Sequence, residues 1–423
     1  MMCDMSRPHP SNRLDRVRAL DRRLVKLARK IRILSSLSWP QETAPQFLER
    51  WRAKSPALPC PPVRTQDHTS TREALTRLKS ELDPQDPLQA YLARTTQSYI
   101  DATHLLHAQG SPDFTARSIA LYGRPTDRVH PTAPTNLEAA KTFLNIYGDR
   151  LPPPDPTDIP SEEAARLLQS WVNDAFSDPT LPVEVTPGLA SLATAGSRRI
   201  RIRANTLFSH TQLEQLLQHE ALVHSATARN GRAQPILSSM GLGGPRTTAM
   251  QEGLATLSEM ITDTMDVNRL KRIALRIQAI QDGLQGADFI DLFKRFLEAG
   301  QTEEDAFHAA QRVFRGGDVR GRVVFTKDVI YLSGLLHTHT FLLKAVQTGL
   351  YDLPLRLFAG RMTLGDALEL APAFEDGTLA HPAIAPRWVR NVSRLSAFLI
   401  WSAFTHQIQL GPLSLRDLTV NSE

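Results

Sequence analysis

His219-Glu220-Ala221-Leu222-Val223-His224 sets a glutamate beside one histidine and four residues before another. Hydrolysis at a metal needs such groups: neutral imidazoles to hold the ion and a carboxylate to take a proton from water. The spacing is one residue longer than H-E-x-x-H. In a straight α-helix, positions four apart differ by about 40° in azimuth; positions five apart differ by about 140° and about 7.5 Å along the axis. Two imidazoles placed that way do not share an ion. A single-turn π-bulge absorbs one residue and restores a common face. If the motif binds zinc, its helix is therefore bulged between Ala221 and Val223. If the helix is regular, His219 and His224 are polar residues on two sides of a surface helix.

Catalytic zinc takes three protein ligands and keeps one position for water. Glu252 stands 28 residues after His224, in Gln251-Glu252-Gly253-Leu254-Ala255. Gly241, Gly243 and Gly244 lie between, and they permit a reversal that sets two helices side by side. Gly253 allows close approach of its helix to the metal, a reason to tolerate glycine in a helix. Glu259, seven residues on and on the same face, is placed to orient a ligand from behind or to be a surface carboxylate.

The elements that must position these groups are mostly helical. Apolar residues at steps of three and four mark helices over 74–82, 87–108, 114–122 and 137–147, and a further one opens at Ser161 and runs to Phe176. Two short strands follow, 182–186 and 199–203, the second alternating Ile200 and Ile202 with arginines. Ser209 and Gln212 form a capping-box pair that starts the motif helix. Long helices are expected over 326–348 and from 385 to about 407.

Composition sets the class. At 41% hydrophobic and 22% charged, 423 residues build a sizeable core. Cys3 and Cys60 are too few for a disulfide framework or a cysteine-rich zinc site, which suits a reducing, cytoplasmic setting. No secretory leader opens the chain, and the best apolar run, 395–404, is short of the ~20 residues a spanning helix needs. The net charge of +5 is local: 13–34 holds nine Lys/Arg and two Asp. There Val17, Leu20, Leu24, Leu27, Ile31 and Leu34 make an apolar stripe under a basic face. The basic face is either a solvated surface or a contact for an anionic surface or acidic partner. Nucleic acid is disfavoured, because no aromatic residue interleaves the charges.

HEALVH followed by QEGLA resembles the DUF1704 family. Its bacterial members are labelled flavohemoglobin expression-modulating QEGLA-motif proteins, and its animal relatives are microtubule-associated tyrosine carboxypeptidases. Residues 111–127, 196–209, RVFRGG at 312–317 and KDVIYLSGL at 327–335 also resemble family segments, so the likeness spans roughly residues 13 to 410. The resemblance implies one zinc ion held by His219, His224 and Glu252, with Glu220 as general base. It implies a carboxypeptidase that removes a C-terminal residue from a peptide or protein; the alternative is a regulatory protein of the QEGLA family that affects gene expression. The chain carries no long basic disordered extension of the kind a microtubule binder would use, so a peptide other than tubulin is expected.

Within that frame Tyr331 is a candidate oxyanion donor. Zinc peptidases often pair substrate backbone with a strand edge, and strand 199–203 precedes the motif helix. Arg201 and Arg203 on it, and Arg315, are candidates for the substrate carboxylate. The expected fold is mainly helical α+β. Residues 1–12 form a disordered N-terminus and 13–150 a helical part with the basic amphipathic helix. A Pro-rich connection at 151–160 leads to a zincin-like catalytic part at 161–423 with a small β-sheet, free to pack with 13–150 as one body.

Overall fold

Five short strands make two small sheets, and helices carry nearly everything else. The computed structural model describes residues 10–405 except 64–65, 148–152, 154, 177–180 and 190. The expected disordered N-terminus up to residue 9, Cys3 included, part of the Pro-rich connection and the end of the last helix lie outside the described residues. The molecule is mainly helical α+β, with two small sheets.

Strands β1 (Ile159–Pro160) and β5 (Leu207–Phe208) pair antiparallel. Strands β2 (Val183–Thr186), β3 (Ala193–Ala195) and β4 (Ile200–Arg203) form the second sheet in the order β2-β4-β3, β2 parallel and β3 antiparallel to β4. The alternation read in 199–203 is real: Ile200 and Ile202 are fully buried while Arg201 and Arg203 are partly exposed on the other face. The buried face packs on helix Ser161–Ala175 and on the motif helix, in a core that runs from Ile159 to Ala226. A second, larger core joins helices of both halves of the chain, from Val17 to Leu399.

The first helix, Pro10–Ala28, buries Val17, Leu20 and Leu24 as its stripe requires. The helix breaks after Ala28, so Leu34, the last residue of the expected stripe, is 45% exposed. Part of the basic face is used within the protein: Arg23 makes two bonds to Glu81, at 2.5 and 2.7 Å, and Arg13 meets Asp86 at 2.8 Å. Arg22, Lys26, Arg29 and Lys30 stay exposed.

Helix Val329–Gln347 is long and apolar enough, by composition, to cross a membrane, which the sequence reading overlooked. Half of that stretch is buried in the protein, as in a core helix. It begins at Val329, three residues later than expected, and Asp328 just before it bonds to Arg312 and does not cap the helix. It lies along helix Pro245–Ile261, the QEGLA helix, and the two backbones meet at glycines. A Cβ on Gly253 would sit 2.1 Å from the Gly334 carbonyl oxygen, and one on Gly334 would sit 2.2 Å from the Ala249 carbonyl oxygen. Backbone cannot give way as a side chain can. Gly253→Ala is expected to force the helices apart and cost about 1–3 kcal/mol or more in chemical denaturation. An unchanged midpoint would mean that the contact is slack.

Candidate active site

The motif helix starts on the capping box read from sequence: Ser209 Oγ accepts the Gln212 amide at 3.1 Å, and Gln212 Oε1 accepts the Ser209 amide at 3.1 Å. It is α-helical over His210–Leu216, π-helical over Leu217–Ser225 and α-helical again over Ala226–Arg232. The distortion is thus a nine-residue π-helix around the motif, longer than the single bulge expected. It brings the two imidazoles to one face, 4.7 Å apart between ring centroids and nearly perpendicular at 86°.

The QEGLA helix delivers Glu252 between them. Its Oε2 lies 3.3 Å from His219 Nε2 and 3.5 Å from His224 Nε2, and the three ligand atoms all lie within 4.8 Å of one another. Atoms bonded at about 2.0–2.2 Å to one tetrahedral zinc stand at similar separations. Two imidazole nitrogens and a carboxylate oxygen are also a donor set of catalytic zinc, so these residues fit that ion.

Two of the three candidate ligands, His219 and Glu252, are held from behind. His219 Nδ1 donates to Glu259 Oε1 at 2.5 Å, which leaves Nε2 to face the centre. Gln215 Nε2 donates to the same oxygen at 2.9 Å, and Arg269 contributes bonds of 3.2 Å from Nε and from Nη2. Burial alone would raise the Glu259 pKa, but Arg269 and His219 outweigh it and hold the carboxyl down at about 2. Burial likewise opposes charge on His219, yet Glu252 and Glu259 raise it to about 10. The pair that would keep a proton on this ring is as well suited to a cation beside it. Lys327 Nζ lies 3.6 Å from Glu252 Oε1, so the oxygen turned away from the histidines is also engaged. Despite its burial, the Glu252 carboxyl is held well below the usual range, with Lys327 the leading cause.

Glu220 points into the same cleft as these ligands, and among the described residues its carboxylate accepts no hydrogen bond. The cleft holds about 1150 Å³ and is lined also by Tyr331, Arg201, Arg203, Arg315 and Arg361. Every site residue expected from sequence except Glu259, which lies behind His219, thus borders one cavity. The Tyr331 hydroxyl accepts a bond from Arg312 Nη2 at 3.2 Å, and its own proton stays free to donate. Arg203 is engaged by Asp305 at 3.7 Å and by Thr206 at 3.0 Å.

The edge strand needs correction. Strand β4, the expected substrate edge, has a neighbour on each side and offers no free backbone. Of the two edge strands, β2 and β3, it is β3 that lines the cleft. Arg203 donates its amide to Leu192 and Gly196 donates to Arg199, at 2.8 and 3.0 Å. Hydrogen-bonded pairs alternate along an antiparallel ladder. Thr194 therefore faces β4, and the backbone groups of Ala193 and Ala195 face outward. Ser191 Oγ donates to the Ala193 carbonyl at 2.7 Å, which leaves Ala195 as the better docking point.

Sequence reading missed Arg269, Lys327 and Arg361. Arg361 donates from Nη2 to the His224 carbonyl at 3.1 Å, serving a backbone group of the π-helix. Only Lys327 had a local signal, its place in the KDVIYLSGL stretch.

A family model described as microtubule-associated tyrosine carboxypeptidase matches residues 45–407. The chain belongs to that family. With membership comes a carboxypeptidase-like function. The match takes in the motif helix, Glu252, Glu259 and every cation of the cleft named above. No individually curated protein matches the chain.

Proposed function

We propose that this protein is a zinc-dependent carboxypeptidase that removes the last residue of a peptide or protein chain. The observation that supports it most directly is the convergence of His219 Nε2, His224 Nε2 and a Glu252 oxygen within 4.8 Å, with Glu220 lining the same cleft. His219, His224 and Glu252 would hold the ion. When bound there, zinc supplies Lewis acidity, enough to bring water's pKa near ~7 and to polarise a carbonyl.

The chain's own residues do the rest. Glu220 takes the proton of the attacking water on its carboxylate and returns it to the leaving amine. Glu259 and Arg269 hold His219 in place and in one tautomer. The hydroxyl proton of Tyr331 is available to the developing oxyanion. The peptide lies as an added strand along β3, with the Ala195 amide and carbonyl as its partners. The family's name makes a C-terminal tyrosine the first residue to test.

Ala195→Pro examines the edge. It removes an outward amide without touching the β3–β4 ladder. KM for peptide should rise about 10-fold, the worth of one hydrogen bond of ~1–1.5 kcal/mol, with thermal stability unchanged. Unchanged KM for peptides of several lengths would remove β3 from substrate binding. The proposal as a whole is tested by incubating metal-loaded protein with a peptide library and reading products by mass spectrometry, with chelated protein as the control.

A further inference from the structure

The cleft wall beyond Glu252 carries more positive charge than it neutralises. Asp328, 3% exposed, is shared by two arginines: Arg312 reaches it at 2.5 and 2.8 Å and Arg276 at 3.7 Å. Those two guanidinium groups and the Lys327 ammonium also surround the Tyr331 ring, at 5.2 to 5.7 Å from its centre. Arg315 follows at the end of helix Glu303–Phe314, lying over the Phe325 ring at 5.2 Å. Its Nε is shielded from solvent and has no hydrogen-bond partner. Among the described residues no carboxylate lies within ion-pair distance of it. Burial, and then Arg312, push the Arg315 guanidinium down to about 10.

Arg276, Arg312, Arg315 and Lys327 thus face two carboxylates, and one of the two, Glu252, belongs to the candidate metal centre. Sheltered charge without a partner is costly, and a wall of this kind is stable only when an anion completes it or water reaches it. Lys327 also fixes where that anion would sit. It lies 3.6 Å from the outer oxygen of Glu252, on the side away from the two histidines, so its charge stands next to the candidate metal centre.

We propose that Arg315 and Lys327 bind the free α-carboxylate of the substrate's last residue, and that Arg276, Arg312, Asp328 and Tyr331 form the scaffold that holds them. This assignment rests on the peptidase reading above and adds what makes the enzyme an exopeptidase. An internal segment of peptide brings no charge to this wall and leaves it uncompensated. Arg315 supplies the planar fork that grips a carboxylate at two points; Lys327 supplies a point charge close to the scissile bond. Arg203 is less suited, since Asp305 and Thr206 already engage it.

The test uses the full-length zinc-loaded protein and two peptides, identical except that one ends in a free acid and the other in a carboxamide. The rate compared is kcat/KM for release of the last residue. The wild type should prefer the free acid about 100-fold. Arg315→Met should cut the free-acid value about 10- to 100-fold and bring the ratio of the two towards one, with Arg315→Lys in between. Metal content and thermal midpoint report whether the fold survives; should Arg315→Met lose its metal, the ratio in Arg315→Lys decides. A wild-type preference kept in a folded, metal-bound Arg315→Met protein overturns the proposal. Equal hydrolysis of both peptides by the wild type does the same, as does a preference lost in Arg361→Met and retained in Arg315→Met. If the wild type releases nothing from either peptide, it is the peptidase reading that fails, and the carboxylate site falls with it.

Discussion

Glu220→Gln should lower peptide hydrolysis about 10²- to 10⁴-fold, the range expected for loss of a general base, while zinc remains bound. The two halves of that expectation come from different observations. Glu220 lines the cleft beside the ligands and is itself not one of the three converging atoms. The amide has nearly the carboxylate's shape and cannot accept a proton at neutral pH. Metal content by mass spectrometry and hydrolysis of a C-terminal peptide check both halves on one sample. Loss of zinc would make Glu220 a ligand or a structural acid. Full hydrolysis would place the base elsewhere. A variant that loses hydrolysis yet keeps every biological effect would restore the regulatory alternative.

Glu259→Gln should have the second large effect, on stability and on metal affinity together. Glu259 is fully buried and accepts bonds from His219, Gln215 and Arg269. Removing its charge strands the sheltered guanidinium of Arg269. Breaking a buried pair from one side typically costs about 3–5 kcal/mol, because the partner keeps its charge without compensation. The same change frees His219 to turn or to exchange tautomers, which weakens metal binding about 10- to 100-fold. Chemical denaturation of the metal-free protein reads the first effect, and competition with a chelator reads the second. If affinity falls while stability stays, Arg269 has found water. If neither moves, the Glu259–His219 bond carries no weight.

Much of this site is legible in the amino-acid sequence because its constraints are local. Two candidate ligands five residues apart cannot share one face of an α-helix, so the motif demanded a distortion, and a π-helix is present. Its nine-residue extent was not legible, nor was the Arg361 guanidinium, 137 residues away, that bonds to the His224 carbonyl within it. The capping box at Ser209 and the buried isoleucines of β4 are likewise local and were readable. The edge strand was not: Ala193-Thr194-Ala195 has no apolar alternation, and β4, with its clear pattern, is the strand a reader chooses. Its regular alternation reflects a central place in the sheet. Arg269 and Lys327 could not be assigned either, because nothing in their neighbourhoods names a partner 10 or 75 residues away. In sequence Gly253 reads as letting its helix approach the metal, whereas the group it lets close is the backbone of Gly334, which no local pattern marks.

The most direct measurement follows one peptide with a free C-terminal tyrosine by mass spectrometry, in the presence of the zinc-loaded protein, the chelated protein and the chelated protein with zinc restored. A zinc carboxypeptidase removes one residue in the first sample, none in the second, and one again in the third. Cleavage that persists in the chelated sample, cuts confined to the peptide interior, or an intact peptide in all three with other C-terminal residues equally untouched would contradict it.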